Sequence, residues 1–329
     1  MKIAFHSSYL GYRGTEIALM DYARGNQEVL GNQSFFLLPS REGGDRHPVA
    51  QTMRKIAPLR FYRNEEEREG ILREEGADFF YCIKNGFDDG AFSRKVPTGI
   101  HAIFRESEFH GDVYAYVSPW LSEVMAYGQA PWVPHMVRLA EEPRGLRDEI
   151  GIPEGTTVFG RHGGDDSFDI PWVQQAVVET AQRNPGVWFL FLNTREFHGA
   201  GGLSNIRFLP PTADPAAKKR FLNTCDAMLH GRKRGETFGL SCLEFAMLGK
   251  PVLTYGGSPE RAHLQILGDS AVPYENPQQL RNLLEDRGRW SEVSGRAGQR
   301  FQDYQPEVVM KKFRNVFLES FSLGAKRKG

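Results

Sequence analysis

Residues 230–244 contain the densest set of groups that could bind an anionic ligand. Glycines at positions 235 and 239 let the backbone approach a ligand, and the apolar pattern that follows predicts a helix beginning near Thr237. The free N–H groups at the start of a helix favour an anion such as diphosphate. The three basic residues that directly precede this loop are Arg232, Lys233 and Arg234. Such a run is most often a solvated charged surface, but its position before the glycine loop favours phosphate binding.

Two glutamates of the same segment, Glu236 and Glu244, are eight positions apart. If the helix begins near Thr237, Glu236 projects from the loop before it and Glu244 lies about two turns in. One carboxylate can then meet a polar group at the start of the helix, while the other reaches the same ligand from deeper in. The alternative is a helix-start acid and a solvated helical glutamate, the usual roles of two such residues on their own.

Short apolar runs alternate with amphipathic stretches along nearly the whole chain. Several runs are continuously apolar, which is typical of strands buried on both faces of a parallel sheet. The predicted strands are residues 3–5, 34–38, 79–82, 100–104, 114–118, 157–160, 188–192, 206–209, 227–229, 251–254 and 271–274. The predicted helices are residues 16–24, 65–75, 171–183, 215–225, 237–248, 277–286 and 306–322. Repeated strand and helix in this order predicts a doubly wound α/β fold.

The alternation of apolar runs and amphipathic stretches stops between residues 131 and 153, where prolines disfavour a continuous helix. A length of 329 residues also suggests about two domains. We therefore predict two Rossmann-like domains, residues 1–135 and 136–305, facing each other across a cleft between the carboxyl ends of their sheets. Such a cleft suits a nucleotide-type ligand. Residues 306–329 are predicted to form a last helix and a basic tail.

The composition argues against several classes of protein. Lys and Arg together number 41, as do Asp and Glu, so the formal charge is zero and a surface built to bind nucleic acid is not expected. The three cysteines form no CxxC pair, which fits a reducing compartment and provides no zinc framework. The pair Asp165-Asp166 is more typical of a turn than of a metal site. Because neither a signal peptide nor a membrane span is evident, we expect a cytoplasmic protein.

At this point the motifs resemble a known family. Glu236 and Glu244, followed by Gly-Lys-Pro-Val at residues 249–252, resemble the E-x7-E signature of retaining glycosyltransferases of the GT-B fold, particularly family 4. Gly160-Arg161, after a predicted strand, resembles the Gly-Arg pair that opens the nucleotide-binding domain of that family.

Two further landmarks come earlier in the chain. Residues 11–16, Gly-Tyr-Arg-Gly-Thr-Glu, resemble the family's glycine-rich loop between the first strand and the first helix. His135-Met136-Val137 falls where the family usually has Asn-Gly-Val at the junction between its domains. The landmarks span nearly the whole chain in the expected order.

The resemblance implies a role for each matching residue of the C-terminal domain. Glu236 would contact hydroxyls of the transferred sugar, and Glu244 would accept hydrogen bonds from the ribose hydroxyls. Arg161 would bind the diphosphate and stabilise the charge that develops on the leaving nucleotide. The helix-start residues that would face the sugar and diphosphate are Thr237, Phe238, Gly239 and Leu240.

In the N-terminal half, the resemblance implies that Gly14 and Thr15 approach the donor and that His101 lines the reaction centre. A histidine of this kind is on its own more often structural. The implied organisation has the acceptor bound by residues 1–135 and the donor by residues 136–305, with the last helix docked back on the N-terminal domain.

The activity implied is transfer of a hexose-type sugar from a nucleoside-diphosphate sugar to a hydroxyl acceptor, a glycan, with retention of configuration. The reaction requires no nucleotide other than the donor substrate, and the resemblance implies no cofactor or metal. Front-face attack is the mechanism that the resemblance favours.

The sequence departs from the family pattern in two places. Asp166 occupies the position of a common lysine five residues after the Arg, and a carboxylate cannot neutralise phosphate. We expect Arg232, Lys233 or Arg234 to substitute for it. His135 replaces the usual Asn at the domain junction.

Other functions are alternatives at this stage. The same fold supports nucleotide-sugar epimerases and phosphorylases, although nothing singles out the pyridoxal lysine of a phosphorylase. Asp166 also suggests a catalytically weak or silent protein that binds a nucleotide sugar. A dinucleotide dehydrogenase is disfavoured because no strand is followed by a GxGxxG turn.

The C-terminal residues 311–329 carry six basic residues against Glu319, beside an apolar helix face. Weak peripheral contact with an anionic membrane is therefore an alternative to simple docking of the last helix.

Exchange of Arg232, Lys233 and Arg234 together for Gln should weaken binding of the nucleotide-sugar donor by about tenfold or more, because charge-assisted hydrogen bonds to phosphate are lost. Isothermal titration calorimetry of the donor measures this. An unchanged dissociation constant would reject the substitution of these cations for the missing lysine.

Overall fold

The computed structural model describes residues 1–293 and 299–319, and these form two compact units. Unit 1 is Met1–Arg138 together with the chain from Gln302 onward, and unit 2 is Leu139–Phe301. The predicted basic tail and the last residues of the predicted helix 306–322 lie outside the described residues. Membrane contact through that tail stays a prediction.

Unit 1 is built on one six-stranded sheet. Its strands are β1 (Lys2–Ser7), β2 (Gln33–Pro39), β3 (Leu59–Tyr62), β4 (Phe79–Lys84), β5 (Thr98–Ala102) and β6 (Val113–Tyr116). Its helices before residue 138 are α1 (Gly14–Glu28), α2 (Pro48–Arg54), α3 (Glu65–Glu74) and α4 (Pro119–Ala126), with a short 3₁₀ turn at Gly44–Arg46. All neighbouring strands run parallel in the order β3-β2-β1-β4-β5-β6, so the order reverses between β1 and β4.

Unit 2 repeats this architecture. Its main strands are β7 (Thr157–His162), β8 (Val187–Leu192), β9 (Ile206–Leu209), β10 (Ala227–His230), β12 (Val252–Tyr255) and β14 (Ala271–Tyr274), and β11 (Gly235–Glu236) pairs separately with β13 (Glu260–Arg261). Its helices are α5 (Pro171–Arg183), α6 (Pro215–Thr224), α7 (Leu240–Met247), α8 (Ala262–Leu267), α9 (Pro277–Glu285) and α10 (Gly288–Ser291), with 3₁₀ turns at Gly268–Ser270 and Gln299–Tyr304, the second reaching into unit 1. The parallel order is β14-β12-β10-β7-β8-β9, which reverses between β10 and β7.

Continuous apolar runs produce the central strands because both faces of each sheet are covered by helices. Every residue of β4 and every residue of β8 is buried. In unit 2 the ring of Phe159 packs against Phe189 and Trp290 at centroid distances of 5.7 Å, and the Trp290 indole donates to the carbonyl of Leu283 at 2.9 Å. The two hydrophobic cores therefore stabilise the sheets, and the polar residues lie on the loops at the sheet edges.

After unit 2 the chain returns to unit 1 through α11 (Pro306–Phe313), which continues as a π-helical segment at Arg314–Glu319. The ring of Phe313 lies 5.4 Å from that of Tyr22 on α1 and 5.1 Å from that of Tyr81 on β4. Phe317 also packs on Tyr81 at 5.3 Å. The last helix is thus part of the hydrophobic core of unit 1.

The predicted fold class is confirmed: both halves are doubly wound parallel α/β sheets, and every predicted strand occurs. The sequence missed β3 because Leu-Arg-Phe-Tyr is an edge strand with only one buried side chain. It also missed α2, α4 and α8. The sequence predicts a strand that extends to residue 118, whereas the Ser118 hydroxyl accepts from the Leu121 N–H at 3.1 Å and caps α4, which begins at Pro119.

Within residues 1–293 and 299–319, none of the helices combines the length and the apolar character that crossing a membrane requires.

Exchange of Phe313 for Ala should lower the free energy of unfolding of unit 1 by about 3–5 kcal/mol, since it empties a fully buried aromatic site. Chemical denaturation followed by circular dichroism measures the change. The matched control is Val308→Ala on the same helix, whose side chain is exposed and whose loss should cost less than about 0.5 kcal/mol. Equal effects of the two exchanges would contradict the docking of α11 in the core.

Candidate functional site

The candidate residues of unit 2 meet at the carboxyl edge of three adjacent strands, β7, β10 and β12. Parallel strands end at one edge of their sheet, and ligands in such folds bind where the strand order reverses. Arg161 lies near the end of β7, His230 is the last residue of β10, and Thr254 of β12 is paired in register with His230. The loops that follow these strands therefore converge at the reversal between β10 and β7.

Two glycines shape the loop that follows β10. Gly235 has φ +80°, and a Cβ at this position would lie 2.0 Å from the carbonyl oxygen of Glu260. Gly239 has φ +93° and is the N-cap of α7, and a Cβ there would lie 2.7 Å from Cβ of His263. No other residue type fits either place without moving the backbone.

Helix α7 begins at Leu240 and not near Thr237 as predicted. The left-handed conformation of Gly239 delays the helix by three residues, and Glu236 consequently lies in the short strand β11. Glu244 is the fifth helical residue, so it lies about one turn into the helix and not two.

Glu236 is held as an ionised carboxylate by two neighbours. Its Oε2 accepts from Nη1 of Arg232 at 2.7 Å, and its Oε1 lies 3.2 Å from Nε2 of His230. Burial raises the pKa of this carboxyl, but the charge of Arg232 and the hydrogen bond from His230 outweigh it and lower the pKa to about 2. Each oxygen has one such partner and the side chain is partly exposed, so the carboxylate can accept further hydrogen bonds.

Arg161 is buried and its guanidinium is engaged by two loops. Its Nη2 donates to the carbonyl of Gly164 at 2.8 Å and to the Ser167 hydroxyl at 2.5 Å, and its Nη1 donates to the Thr194 hydroxyl. Burial lowers the pKa of Arg161 to about 10, although the charge of Glu236 acts in the opposite direction. Arg161 is therefore a cation close to Glu236 whose donors hold the loops after β7 and β8.

The three basic residues before Gly235 occupy different environments. Arg232 is largely buried against Glu236, which raises the pKa of its guanidinium. Arg234 pairs with the buried carboxylate of Glu260 at 2.7 Å. Lys233 is exposed. The run thus combines an inward-facing cation with two at the surface.

The residues at the start of α7 differ in exposure. The side chains of Thr237 and Phe238 are buried, so these residues can offer a ligand only backbone groups, while Leu240 is partly exposed. The N-cap residue of α7 is Gly239, which has no side chain with which to cap the helix. Its first turn therefore keeps the character of an anion site at a helix start.

Glu244 lies in a separate ionic cluster. Its Oε1 accepts from Nζ of Lys218 on α6, and its Oε2 lies 3.0 Å from Nε2 of His162 at the end of β7. Burial raises the pKa of this carboxyl, but Lys218 and His162 outweigh it and lower the pKa to about 2. Because the side chain is only 2% exposed, a ribose hydroxyl could reach it only if one of these partners moved.

Gly14 and Thr15 lie in unit 1, where α1 begins with Gly14. Gly14 is exposed and Thr15 is partly buried. The next residue, Glu16, is buried, and burial raises the pKa of its carboxyl to about 7 despite a hydrogen bond from the Ser7 hydroxyl at 3.1 Å. The sequence motif thus marks the first turn of α1.

His101 is fully buried inside unit 1. Its Nε2 donates to the carbonyl of Val133 at 2.9 Å, so its Nδ1 accepts from the Tyr81 hydroxyl at 2.6 Å. Burial lowers the pKa of the ring to about 4. Both nitrogens are occupied in this conformation, so a role for His101 in the reaction stays a prediction and would require its partners to move.

Three residues of the site escaped prediction: Lys218, His162 and Thr254. Lys218 is one of three consecutive basic residues on α6, and no spacing distinguishes it from Lys219 and Arg220. Thr254 is a hydroxyl inside a strand, where its type alone is unremarkable. Only the paired register of β10 and β12 reveals its contact with His230.

Asp165 and Asp166 follow β7. Asp165 pairs with Arg195 at 2.8 Å, and Asp166 is exposed. In the part of the chain that the structure describes, no group of three or more His, Cys, Asp or Glu residues is arranged to hold a metal ion.

Solved structures of similar fold cover nearly the whole chain. HepE of Anabaena in complex with UDP and glucose has a TM-score of 0.73 at 14% identity, over 96% of this chain and 98% of that chain. The UDP-GlcNAc 2-epimerase from Neisseria meningitidis, bound to UDP-GlcNAc, has a TM-score of 0.65 at 11% identity, over 97% and 100%. WaaG, a glycosyltransferase involved in lipopolysaccharide biosynthesis, has a TM-score of 0.62 at 11% identity, over 96% and 99%.

At these identities the likeness establishes the GT-B fold and no finer relationship. Neither a protein-family model nor a curated protein matches the sequence.

Exchange of Glu244 for Gln should destabilise unit 2 by about 3 kcal/mol at neutral pH, because Lys218 is left beside a neutral amide. The folded pKa of about 2 lies below the ordinary value of 4.5, so the stabilisation is fully present above pH 4.5 and is lost as the pH falls toward 2. Urea denaturation of both proteins between pH 7 and pH 2.5 should show the gap closing.

The control is Glu285→Gln at the exposed end of α9, which should change stability little at any pH in this range. A gap between wild type and Glu244→Gln that stays constant down to pH 2.5 would contradict the ionic role of Glu244.

Proposed function

We propose that the chain is a glycosyltransferase that moves a sugar from a nucleoside-diphosphate sugar to a hydroxyl acceptor. The observation that carries the proposal is the carboxylate of Glu236. It is ionised, oriented by Arg232 and His230, able to accept more hydrogen bonds, and placed just before the start of α7. The complexes of HepE with UDP and glucose and with UDP-glucose support a nucleotide sugar as the donor.

Glu236 suits recognition of the transferred sugar. An ionised carboxylate accepts strong hydrogen bonds from hydroxyl groups, and one fixed by two partners loses little freedom when it binds. We assign it to hydroxyls of the donor sugar, with the first turn of α7 directed at the diphosphate.

The leaving diphosphate needs cations, and Asp166 cannot serve. Arg161 and Arg232 both lie close to Glu236: the charge of Glu236 acts to raise the pKa of Arg161, and the charge of Arg232 acts to lower the pKa of Glu236. Lys233 is exposed on the same loop as Arg232. We assign Arg161 and the residues before Gly235 to stabilising the negative charge that develops as the nucleotide leaves. Glu244, with Lys218 beside it, is assigned to the ribose end of the donor.

We infer a retaining, front-face reaction. The acceptor oxygen forms a bond to the anomeric carbon on the face from which the diphosphate leaves, and the bond from that carbon to the phosphate oxygen breaks. The acceptor proton passes to the departing phosphate oxygen. The proposal rests on the engagement of both motif carboxylates by cations, which suits them to binding sugar and ribose more than to covalent attack.

We assign one of the two substrates to each predicted domain. Donor binding is assigned to residues 136–305, which hold Arg161, Glu236 and Glu244. Acceptor binding, with a glycan as the proposed acceptor, is assigned to residues 1–135.

The second candidate function is epimerisation of a nucleotide sugar. The likeness to the Neisseria meningitidis 2-epimerase is as broad as that to the glycosyltransferases, so the fold does not separate the two. An epimerase changes the sugar without any acceptor, whereas a transferase releases nucleotide. A catalytically silent homologue, suggested by Asp166, would bind the donor and do neither.

A thermal-shift screen with UDP-, GDP- and ADP-sugars should identify a donor, because a ligand at 100 times its dissociation constant stabilises the fold by about 2.7 kcal/mol. Proton NMR of that donor, with and without a glycan acceptor, then follows turnover. We expect acceptor-dependent nucleotide release and a product with the anomeric configuration of the donor. The Glu236→Gln variant should lose about 100-fold or more in kcat/KM.

The exposed Glu285→Gln variant is the matched control and should keep full activity. A new sugar epimer formed from the donor alone would establish the epimerase instead. Binding with no change in either sugar or nucleotide would establish the silent homologue, and an inverted product would overturn retention.

A further inference from the structure

Three exposed aromatic side chains follow three adjacent strands of unit 1. Tyr9 follows β1, Phe87 follows β4 and Phe109 follows β5, and their side chains are 54%, 39% and 57% exposed. In the part of the chain that the structure describes, Phe87 and Phe109 are the only exposed phenylalanines. The strand order of unit 1 reverses between β1 and β4, and ligands in such folds bind at the carboxyl edge of the sheet beside the reversal.

The loops after β1 and β4 are joined next to Tyr9. The Ser8 hydroxyl donates to Oδ2 of Asp89 at 3.0 Å, and Oδ1 of the same carboxylate accepts from Nζ of Lys84, the buried last residue of β4. The guanidinium of Arg41 lies 4.9 Å from the ring centroid of Tyr9 and donates to the carbonyl of Ser8 at 2.9 Å. The ring of Tyr9 is therefore held in place at the end of β1.

The loops after β4 and β5 are joined next to the two phenylalanines. The N–H of Asp88, which follows Phe87, donates to Oε2 of Glu108 at 2.8 Å, and Phe109 comes directly after Glu108. The ring of Phe109 packs on that of Tyr114 at a centroid distance of 4.8 Å, and the Tyr114 hydroxyl donates at 2.8 Å to the carbonyl directly before Phe87. The two rings therefore belong to one connected set of contacts.

These contacts place Tyr9, Phe87 and Phe109 on one surface, which we call the aromatic platform. Arg41 and Tyr114 each contact one of its rings, and more than half of the Tyr9 and Phe109 side chains stays exposed. Side chains that are fixed before a ligand arrives lose little conformational freedom when it binds. The platform therefore suits a ligand with apolar faces that can pack on aromatic rings.

The polar groups beside the rings indicate the class of that ligand. Asp88 and Glu108 are exposed, and the loop after β5, residues 103–112, carries three acidic residues against one Arg. Ionised carboxylates accept strong hydrogen bonds from hydroxyl groups but repel an anionic ligand or an anionic membrane surface. Rings for apolar C–H faces, next to carboxylates for hydroxyl groups, favour a neutral sugar.

We propose that the aromatic platform binds a neutral oligosaccharide, which packs its C–H faces on Tyr9, Phe87 and Phe109 and donates hydroxyl protons to the carboxylates of Asp88 and Glu108. The role of this oligosaccharide as the acceptor rests on the proposed function, whereas its binding to the platform does not. The proposal narrows the acceptor to an uncharged sugar chain.

The spacing of the strands sets the length of this ligand. Neighbouring strands lie about 4.8 Å apart, so the loops after β1 and β5, with β4 between them, begin about 10 Å apart. This span is longer than one pyranose ring. A ligand that contacts all three rings is therefore a chain of at least two sugars, and a trisaccharide should bind more tightly than its monosaccharide.

The first experiment incubates the full-length chain, without any nucleotide, on an array of neutral, carboxylated and sulfated glycans. We expect binding to neutral oligosaccharides in preference to acidic ones. An array on which the chain binds no neutral glycan, or prefers acidic glycans, contradicts the proposal.

The second experiment measures the dissociation constant of the tightest-binding neutral glycan by isothermal titration calorimetry. Tyr9→Ala, Phe87→Ala and Phe109→Ala should each weaken binding about tenfold, because each removes one packing surface. The matched control is Tyr127→Ala, which removes an 86% exposed ring at the end of α4, outside the three loops, and should leave the affinity unchanged. Equal dissociation constants for wild type and the three platform variants would exclude the platform as the binding surface.

The exposure of these rings means that the variants should fold, and their circular dichroism spectra check this. A lipid surface is tested by co-sedimentation with vesicles of phosphatidylcholine and phosphatidylglycerol, in which wild type and Phe87→Ala should behave alike. Vesicle binding that disappears in Phe87→Ala would show that the platform contacts lipid, and the proposal would then be wrong.

The third experiment separates this inference from the proposed function. With the donor found by the thermal-shift screen, Phe87→Ala should raise KM for the glycan about tenfold and keep kcat within about twofold of wild type, since the ring binds substrate without touching the reacting atoms. If wild type turns over no donor, the proposed function fails while the binding data still decide the platform. Transfer with the same KM in wild type and Phe87→Ala supports the function and overturns the inference.

Discussion

The ionisation of Glu236 at a largely buried position is the constraint on which the site of unit 2 depends. Burial alone would favour a protonated carboxyl, and a protonated acid could not accept from sugar hydroxyls at both oxygens. Arg232 on one oxygen and His230 on the other reverse that preference. The conformation of the rest of the loop brings these two partners to the one carboxylate of Glu236.

Close backbone packing makes this arrangement possible. Gly235 packs against the carbonyl of Glu260. Gly239 packs against His263 and turns the chain into α7. Both positions have φ in the left-handed region, so the turn that leads from Glu236 in β11 to the start of α7 follows directly from two glycines. The sheet supplies the other half, because β10 ends at His230 and β12 brings Thr254 beside it in register.

The amino-acid sequence predicts the fold best where one physical rule dominates. Continuous apolar runs predicted the strands of both sheets, because burial on two faces leaves little choice of residue type. It failed at β3, where an edge strand mixes Arg with apolar residues, and at the start of α7, where the positive φ of Gly239 delays the helix. The motif located Glu236 and Glu244, but not their partners. Lys218 and Thr254 come from elements far away in the sequence, and no local pattern records which of several lysines or threonines makes a long-range contact.

The balance of positive and negative charge in the sequence is also seen locally in unit 2. Three cations near the predicted donor site are already engaged: Arg232 with Glu236, Lys218 with Glu244, and Arg161 with the loops after β7 and β8. A diphosphate that reaches these groups must therefore share or replace protein partners, and its affinity is the difference between two sets of charge-assisted hydrogen bonds. Such an exchange favours ligands that offer Glu236 and Glu244 hydroxyl groups as they draw the cations away. A nucleotide sugar carries phosphates, ribose hydroxyls and sugar hydroxyls in one molecule, so it can satisfy both carboxylates and cations together, whereas a simple phosphate would leave the carboxylates without their partners.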